Sequence, residues 1–383
     1  MNSLARWKAS FAREVRFLAG NPWDLALLTW LPLVLCAVIA WQLSAGVIRD
    51  LPVALVDAER SSLSRDLAIR IEGAPGLRLV ARAQDMAEAE RLVRSGAVEA
   101  IVLIPPEASA RAFEGRGQIT LYVNAAHSAA SATIQREVAT IIAAANARVG
   151  VEQIAAVLPP GTVRAAPLAA SSAIAFNAPA SQEQQLVSLL HPALLHLLFM
   201  LALVSAFGRE LRDATIADWQ PDLAALAGKA APYVLAFMVW GAGATAYLAG
   251  FRGWTLAGGP ILLMAGYFAM FAAYTGVTLL LVGATRCMSQ SLSLTGLYAG
   301  ASFAFAGAIF PIQQASSFAQ IWAEILPFTH FARVIALDWV AGAPLGTAAA
   351  PLLPLTLIAL IAGVPGAWLY LRSAQRPQDW GRR

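Results

Sequence analysis

Six apolar stretches, each about as long as a helix rising ~1.5 Å per residue must be to cross a hydrocarbon core of ~30 Å, constrain this chain more than any other feature. They run from Trp23 to Ile48, Leu186 to Phe207, Ala230 to Phe251, Leu256 to Ala284, Leu292 to Ile312 and Leu352 to Leu371. The chain is 58% hydrophobic and only 13% charged, so these stretches exclude an ordinary soluble domain. They predict an α-helical polytopic membrane protein with six transmembrane helices. The first stretch is too long for a secretory signal and follows Arg6, Lys8, Arg13 and Arg16, so it reads as a retained signal anchor.

Basic side chains resist translocation, so their distribution sets orientation. Arg6, Lys8, Arg13, Arg16, Arg209, Arg212, Lys229, Arg286, Arg372, Arg376, Arg382 and Arg383 fall on one side of the six stretches, whereas the short loops of the other side hold only Arg252 and Arg333. Both termini are therefore expected in the cytoplasm. The net charge of +4 is spread over helix ends rather than gathered in one patch, which gives nucleic acid binding no support. Cys36 lies inside an apolar run and Cys287 just beyond one, and both read as unpaired thiols.

Residues 49–185 are expected outside the cytoplasm, because a segment this long is translocated regardless of its arginines. The pattern alternates between strands and helices. Strands are predicted at Val53–Asp57, Leu77–Arg82, Glu99–Ile104 and Gln118–Val123, with helices at Ser61–Glu72, Asp85–Ser95, Ala108–Phe113 and Ala129–Val149. This is an inserted α/β domain, followed by a linker rich in Ala, Pro and Ser from Ala155 to Ala180.

No engine is encoded. A Gly-x-x-x-x-Gly-Lys-Ser/Thr phosphate loop is absent, so any ATP must be hydrolysed by another chain. The spans are nearly free of the carboxylates that ion-coupled pumps keep in their helices, with Asp24 at the very start of one. No Gly-x-Ser-x-Gly elbow points to hydrolytic catalysis. His191 and His196 are five residues apart, which turns their side chains ~140° from one another on a helix and favours packing over a shared metal.

Three segments remain. Gly208-Arg-Glu-Leu-Arg-Asp-Ala-Thr215 follows a span directly and is densely charged. It fits either positive-inside punctuation or a short coupling segment in which Glu210 and the flanking arginines contact an ATPase subunit. Residues 1–21 carry Leu4, Trp7, Phe11, Val15 and Leu18 at steps of three and four among basic residues, which fits an amphipathic helix in the headgroup plane of the bilayer or a solvated positive flank. Phe310-Pro311 and Ile325-Leu-Pro-Phe-Thr-His-Phe331 make an outer loop too apolar for plain solvent, to be read as a re-entrant segment, a gate or a packed loop.

These segments carry a resemblance to the type-2 ABC exporter permeases, in the branch with a large extracytoplasmic domain after the first helix. Arg13-Glu-Val-Arg-Phe-Leu-Ala-Gly-Asn-Pro22 resembles that family's amphipathic connecting helix, Arg13, Glu14 and Arg16 included, with Gly20 and Asn21 departing from its usual Arg-Asp. The 208–215 segment is similar to its Arg-Glu-Arg-Glu-x-Gly-Thr coupling motif, with Ala214 in place of the glycine, and Lys229 fits the Gly-Lys opening of the next span. Ala306-Gly-Ala-Ile-Phe-Pro311 and Leu326-Pro-Phe-Thr-His-Phe331 resemble its Ser-Gly-x-x-Phe-Pro and Leu-Pro-x-Thr-x-Phe pair. The resemblance implies a cytoplasmic coupling loop over 208–229, with Arg209, Glu210, Arg212, Asp213 and Thr215 in the ATPase-coupling role, and an outer motif of Phe310, Pro311, Pro327 and Thr329. It also implies a permease dimer in a bacterial inner membrane, residues 49–185 in the periplasm and a periplasmic adaptor. ATP and Mg would be bound by a separate ATP-binding subunit, with no cofactor on this chain, and the cargo would be apolar or amphipathic, drug-like or lipid-like. Two other readings stand beside it: a proton-driven efflux component, and a membrane-anchored extracytoplasmic binding or assembly protein.

Overall fold

A computed structural model describes residues 2–43, 49–113, 118–123, 128–157, 182–219, 221–254, 256–307 and 312–381. The chain opens with helix α1 (Ser3–Gly20), capped by Asn2, whose side chain accepts a hydrogen bond from the Ala5 N–H at 2.9 Å. The helix must stop at Asn21, because Pro22 bars the residue before it from helical geometry. Asn21 is extended, and its amide side chain and backbone N–H take up the Phe17 and Leu18 carbonyls at 2.7 and 3.2 Å. Pro22 then starts α2 (Pro22–Leu28), which continues beyond Thr29 as α3 (Trp30–Gln42). The bend has a cause. Pro32 has no N–H for the Leu28 carbonyl, which instead accepts from the Trp240 indole at 2.7 Å.

Residues Val47–Ile174 form a separate unit. In chain order it holds β1 (Leu51–Asp57), α4 (Ser62–Glu72), β2 (Leu77–Ala83), α5 (Met86–Arg94), β3 (Ala100–Ile104), α6 (Ala108–Phe113), β4 (Thr120–Val123) and α7 (Ser128–Val157). The sheet order is β2-β1-β3-β4, with β1 parallel to both neighbours and β4 antiparallel to β3. Alternate residues of β1 feed two cores. Val53 and Leu55 pack with α4 and α7 on one face, Ala54 and Val56 with α5 on the other. Asp85 caps α5 through the Glu88 N–H (2.8 Å), and Glu88 reaches back to the Gln84 N–H (2.8 Å), a reciprocal cap.

The first unit, Met1–Gly46 with Ala175–Arg383, resumes with α8 (Gln182–Arg212), α9 (Ile216–Trp219), α10 (Leu223–Ala246), α11 (Pro260–Thr285) and α12 (Met288–Gly300). It ends with α13 (Ser317–Ile325), α14 (Pro327–Val334), α15 (Leu345–Ala349) and α16 (Leu352–Ala374). Among the described residues, five helices are long and apolar enough to cross a membrane: Pro22–Gln42, Leu186–Arg212, Leu223–Phe251, Pro260–Thr285 and Leu345–Ala374. Their outward faces are apolar, as Val34, Val239, Ile361 and Val364 illustrate. Trp23 and Trp41, 82% and 78% exposed near the two ends of the first of them, suit a bilayer's two interfaces.

The expected fifth span, Leu292 to Ile312, is not one helix. The 13 residues of α12 rise only ~20 Å before a 3-10 turn at Ser302–Phe305 replaces them. Gly296, Gly300 and Gly307, the last with φ +74°, lie where a continuous helix would run, and glycine weakens a helix interior. Glycine does the opposite between α11 and α16, the most extensive helix pair. A Cβ on Gly276 would sit 2.8 Å from the Gly363 nitrogen, one on Gly283 2.8 Å from the Tyr370 nitrogen, and one on Gly366 2.5 Å from the Leu280 nitrogen. Backbone meets backbone there, as small residues permit in membrane helices. We predict that Gly366→Val, which forces these backbones apart, costs about 1–3 kcal/mol, seen as a lower thermal unfolding midpoint of the purified chain in detergent, whereas Gly243→Ala, with open space around it, leaves the midpoint in place.

Candidate functional site

The densest cluster of buried charge lies where α1, the end of α8 and the start of α10 meet. On α1, Ser10, Glu14 and Leu18 recur every four residues and form the buried stripe. That stripe rests on α10. The Ser10 hydroxyl donates to the Ala225 carbonyl at 2.7 Å, and Gly228 admits the α1 backbone so closely that a Cβ would fall 2.3 Å from the Trp7 carbonyl oxygen. This approach sets Glu14 against the next residue, Lys229, and against Tyr233 one turn on.

Lys229 has no exposed side-chain surface, and its ammonium bridges Glu14 and Glu210, the latter at 2.7 Å. Glu210 is held on both oxygens. Arg13 grips it bidentately at 2.8 and 2.9 Å, and the Thr215 hydroxyl donates to it at 2.6 Å. Glu14 accepts also from Arg209 and, at 2.6 Å, from the Tyr233 hydroxyl, while Arg209 reaches Asp24 at 3.4 Å. Three cations, Arg13, Arg209 and Lys229, thus meet three carboxylates, Glu14, Asp24 and Glu210. Trp219 covers the group, its ring centroid 5.5 Å from the Arg13 guanidinium and 5.1 Å from the Lys229 ammonium.

A backward turn closes the cluster. Ala214 sits at φ +58°, in the left-handed region, and this reversal brings Thr215 back to Glu210. It is the position at which the coupling motif named above has glycine, the residue that enters this region without strain.

The expected coupling residues therefore divide. Arg209, Glu210 and Thr215 point inward, so the expectation that Glu210 makes charged contacts with an ATPase is corrected: its carboxylate is 3% exposed and fully engaged within the chain. Arg212 and Asp213 remain outside, paired to each other at 2.8 and 2.9 Å, and Arg212 holds the Asp213 carboxyl below the usual range. On α1, Arg13 and Glu14 join the cluster but Arg16 does not. It is exposed and donates to the Ala12 carbonyl of its own helix at 3.3 Å. The stripe read from the sequence is also displaced, since Leu4 and Val15 are exposed while Ser10 and Glu14 are buried. Sequence reasoning missed Tyr233 and Trp219. Lys229 had a signal, a charge inside an otherwise apolar helix.

Of the outer motif, Phe310 and Pro311 lie outside the described residues. Pro327 opens α14, and Thr329 is buried within it. The carbonyls at the end of α13 are satisfied individually: Glu324 by the His330 Nε2–H at 2.8 Å and Ile325 by the Tyr298 hydroxyl at 2.6 Å. His191 and His196 do not share a site. His191 Nε2 lies 3.1 Å from the Cys36 carbonyl, whereas His196 stacks between Tyr274 and Phe328.

Two predictions test this geometry. Lys229→Met leaves Glu14 and Glu210 buried without their shared cation and costs about 3–5 kcal/mol, read as a large fall in unfolding midpoint. Ala214→Gly relieves the left-handed strain and raises stability by about 1 kcal/mol, measured in the same assay.

No curated protein and no solved structure matches the chain. One family model does, that described as ABC-2 family transporter protein, over residues 22–368. That match takes in nearly the whole chain, with the Glu210–Lys229 pair and part or all of each membrane-length helix, and the chain accordingly belongs to the ABC-2 transporter family as a membrane permease.

Proposed function

We propose that this permease is the membrane half of an exporter powered by a separate ATP-binding subunit, and that the charge cluster turns the motion of that subunit into motion of the helices. The observation that carries this reading is the convergence of helix ends. Through Glu14, Glu210 and Lys229, α1, α8 and α10 meet at one end of the membrane unit, and Arg286, beside Asp379 at 3.0 Å, adds the ends of α11 and α16. Most of the basic residues outside the inserted unit belong to this end, which supports a cytoplasmic location for it under the positive-inside rule. The exposed turn from Arg212 to Asp218 is what a partner subunit meets, and Glu210 behind it ties that turn to α1 and α10. A push on the turn then moves three helices together.

With α1 and the end of α16 on one side, five complete crossings leave the chain on the wrong side. The short helices α12, α13 and α14 are the candidates for a sixth crossing made in pieces, and in this reading residues 49–185 lie in the periplasm of a bacterial inner membrane. Two copies, giving twelve crossings, enclose a path that opens alternately to either side for apolar or amphipathic cargo, and a periplasmic adaptor receives it. The apolar helices and the lack of an internal engine support ATP over a proton gradient as the source of power.

The test is reconstitution in vesicles with the ATP-binding subunit that co-purifies with the chain. Arg212→Glu combined with Asp218→Arg should reduce cargo-stimulated ATP hydrolysis at least ~10-fold, equivalent to ~1.4 kcal/mol in the activation barrier, with insertion and folding intact. Export that persists without ATP under a proton gradient would overturn the reading.

A further inference from the structure

The chain beyond α16 does not trail away. Asp379 is only 3% exposed and lies against the guanidinium of Arg286, 3.0 Å away. Arg286 closes α11 in the left-handed region, φ +55°, which aims its side chain from the α11–α12 junction toward this tail. Next along, the Trp380 indole donates to the Ser373 carbonyl at 3.0 Å, pinning the tail to α16. Then the Gly381 N–H donates to the Leu211 carbonyl at 3.0 Å. Leu211 lies between Glu210 and Arg212 in the last turn of α8, where carbonyls lack helical partners. Within the turn itself, the Ala214 N–H reaches the same oxygen only at 3.4 Å.

We infer that residues 376–381 form a strap that fixes the end of α8 and the exposed 212–219 turn against α11 and α16, so that Asp379 and Arg286 act as positioning residues for that turn. The physical argument is one of rigidity. The turn is held from within by the Asp213 N–H on the Arg209 carbonyl at 2.8 Å and the Thr215 hydroxyl on Glu210 at 2.6 Å. The Leu211 carbonyl, however, has only the long Ala214 bond from inside the turn, and a last helical turn that frays there dissipates a push rather than passing it on. The pairing of buried Asp379 with half-buried Arg286 fixes the strap, and the strap supplies the stronger hydrogen bond to Leu211. The contacts stand by themselves, while the consequence for coupling rests on the function proposed above.

The two parts separate experimentally. In the full chain in phospholipid nanodiscs, hydrogen exchange read by mass spectrometry should show the amides of residues 211–219 exchanging about tenfold faster in Asp379→Asn and in Arg286→Gln. The amides of α10 and of the Val47–Ile174 unit should be unchanged. The charge-exchanged double variant Arg286→Asp with Asp379→Arg should restore protection. If the single variants fail to fold, deletion of residues 376–383 provides the same comparison. Unchanged exchange at 211–219 overturns the strap. With the co-purified ATP-binding subunit, the single variants should lose cargo-stimulated ATP hydrolysis at least ~10-fold and the double variant recover it. Faster exchange with stimulation intact overturns the positioning role. If the wild-type chain itself stimulates no ATP hydrolysis, the proposed function fails while the exchange result still decides the strap.

Discussion

Lys229 is the constraint from which the membrane unit is best understood. An ammonium with no exposed surface is tolerable only among anions, and its two carboxylates come from different helices, Glu14 of α1 and Glu210 of α8. Each carboxylate needs a further cation, which Arg209 and Arg13 provide, and Asp24 of α2 completes the balance. Every pair in the cluster joins two different helices, so the four helices must arrive together. The amphipathic helix is thereby fixed to the membrane unit by charge as well as by apolar contact, which explains why its buried stripe is the polar Ser10 and Glu14.

That stripe marks the boundary of what sequence could tell. Length and hydropathy mark a membrane span because the bilayer imposes them directly, and the strands of the inserted unit follow from their alternation. The α1 pattern instead carries one apolar stripe, and the close approach at Gly228 selects the neighbouring face of Ser10, Glu14 and Leu18 for burial. Likewise Glu210 looks like a surface charge beside Arg209 and Arg212, and nothing local reveals that it faces Lys229, 19 residues away. The broken α12 escaped because hydropathy averages over glycine. Gly296, Gly300 and Gly307 leave a window apolar while removing its helical preference.

Glycine has two opposite uses in this chain. Between α11 and α16 it brings backbones into contact and makes a rigid pair, since Gly276, Gly283 and Gly366 face occupied space on the partner helix. In α12, Gly296 and Gly300 face open space and loosen the helix instead. What decides between them is the neighbour, which sequence composition does not record.

A permease driven through the 212–218 turn, as proposed above, needs a stiff path from that turn to its helices. Stiffness comes from desolvated charge at the α1–α8–α10 junction, where motion of one partner would strand another at a cost of several kcal/mol. It comes equally from close backbone packing of α11 with α16. The Arg212–Asp218 turn lies between these two rigid bodies: Glu210 and Thr215 tie it to the first, and Gly381, through Leu211, ties it to the second. A force on the turn, in the function proposed above, is therefore shared by both.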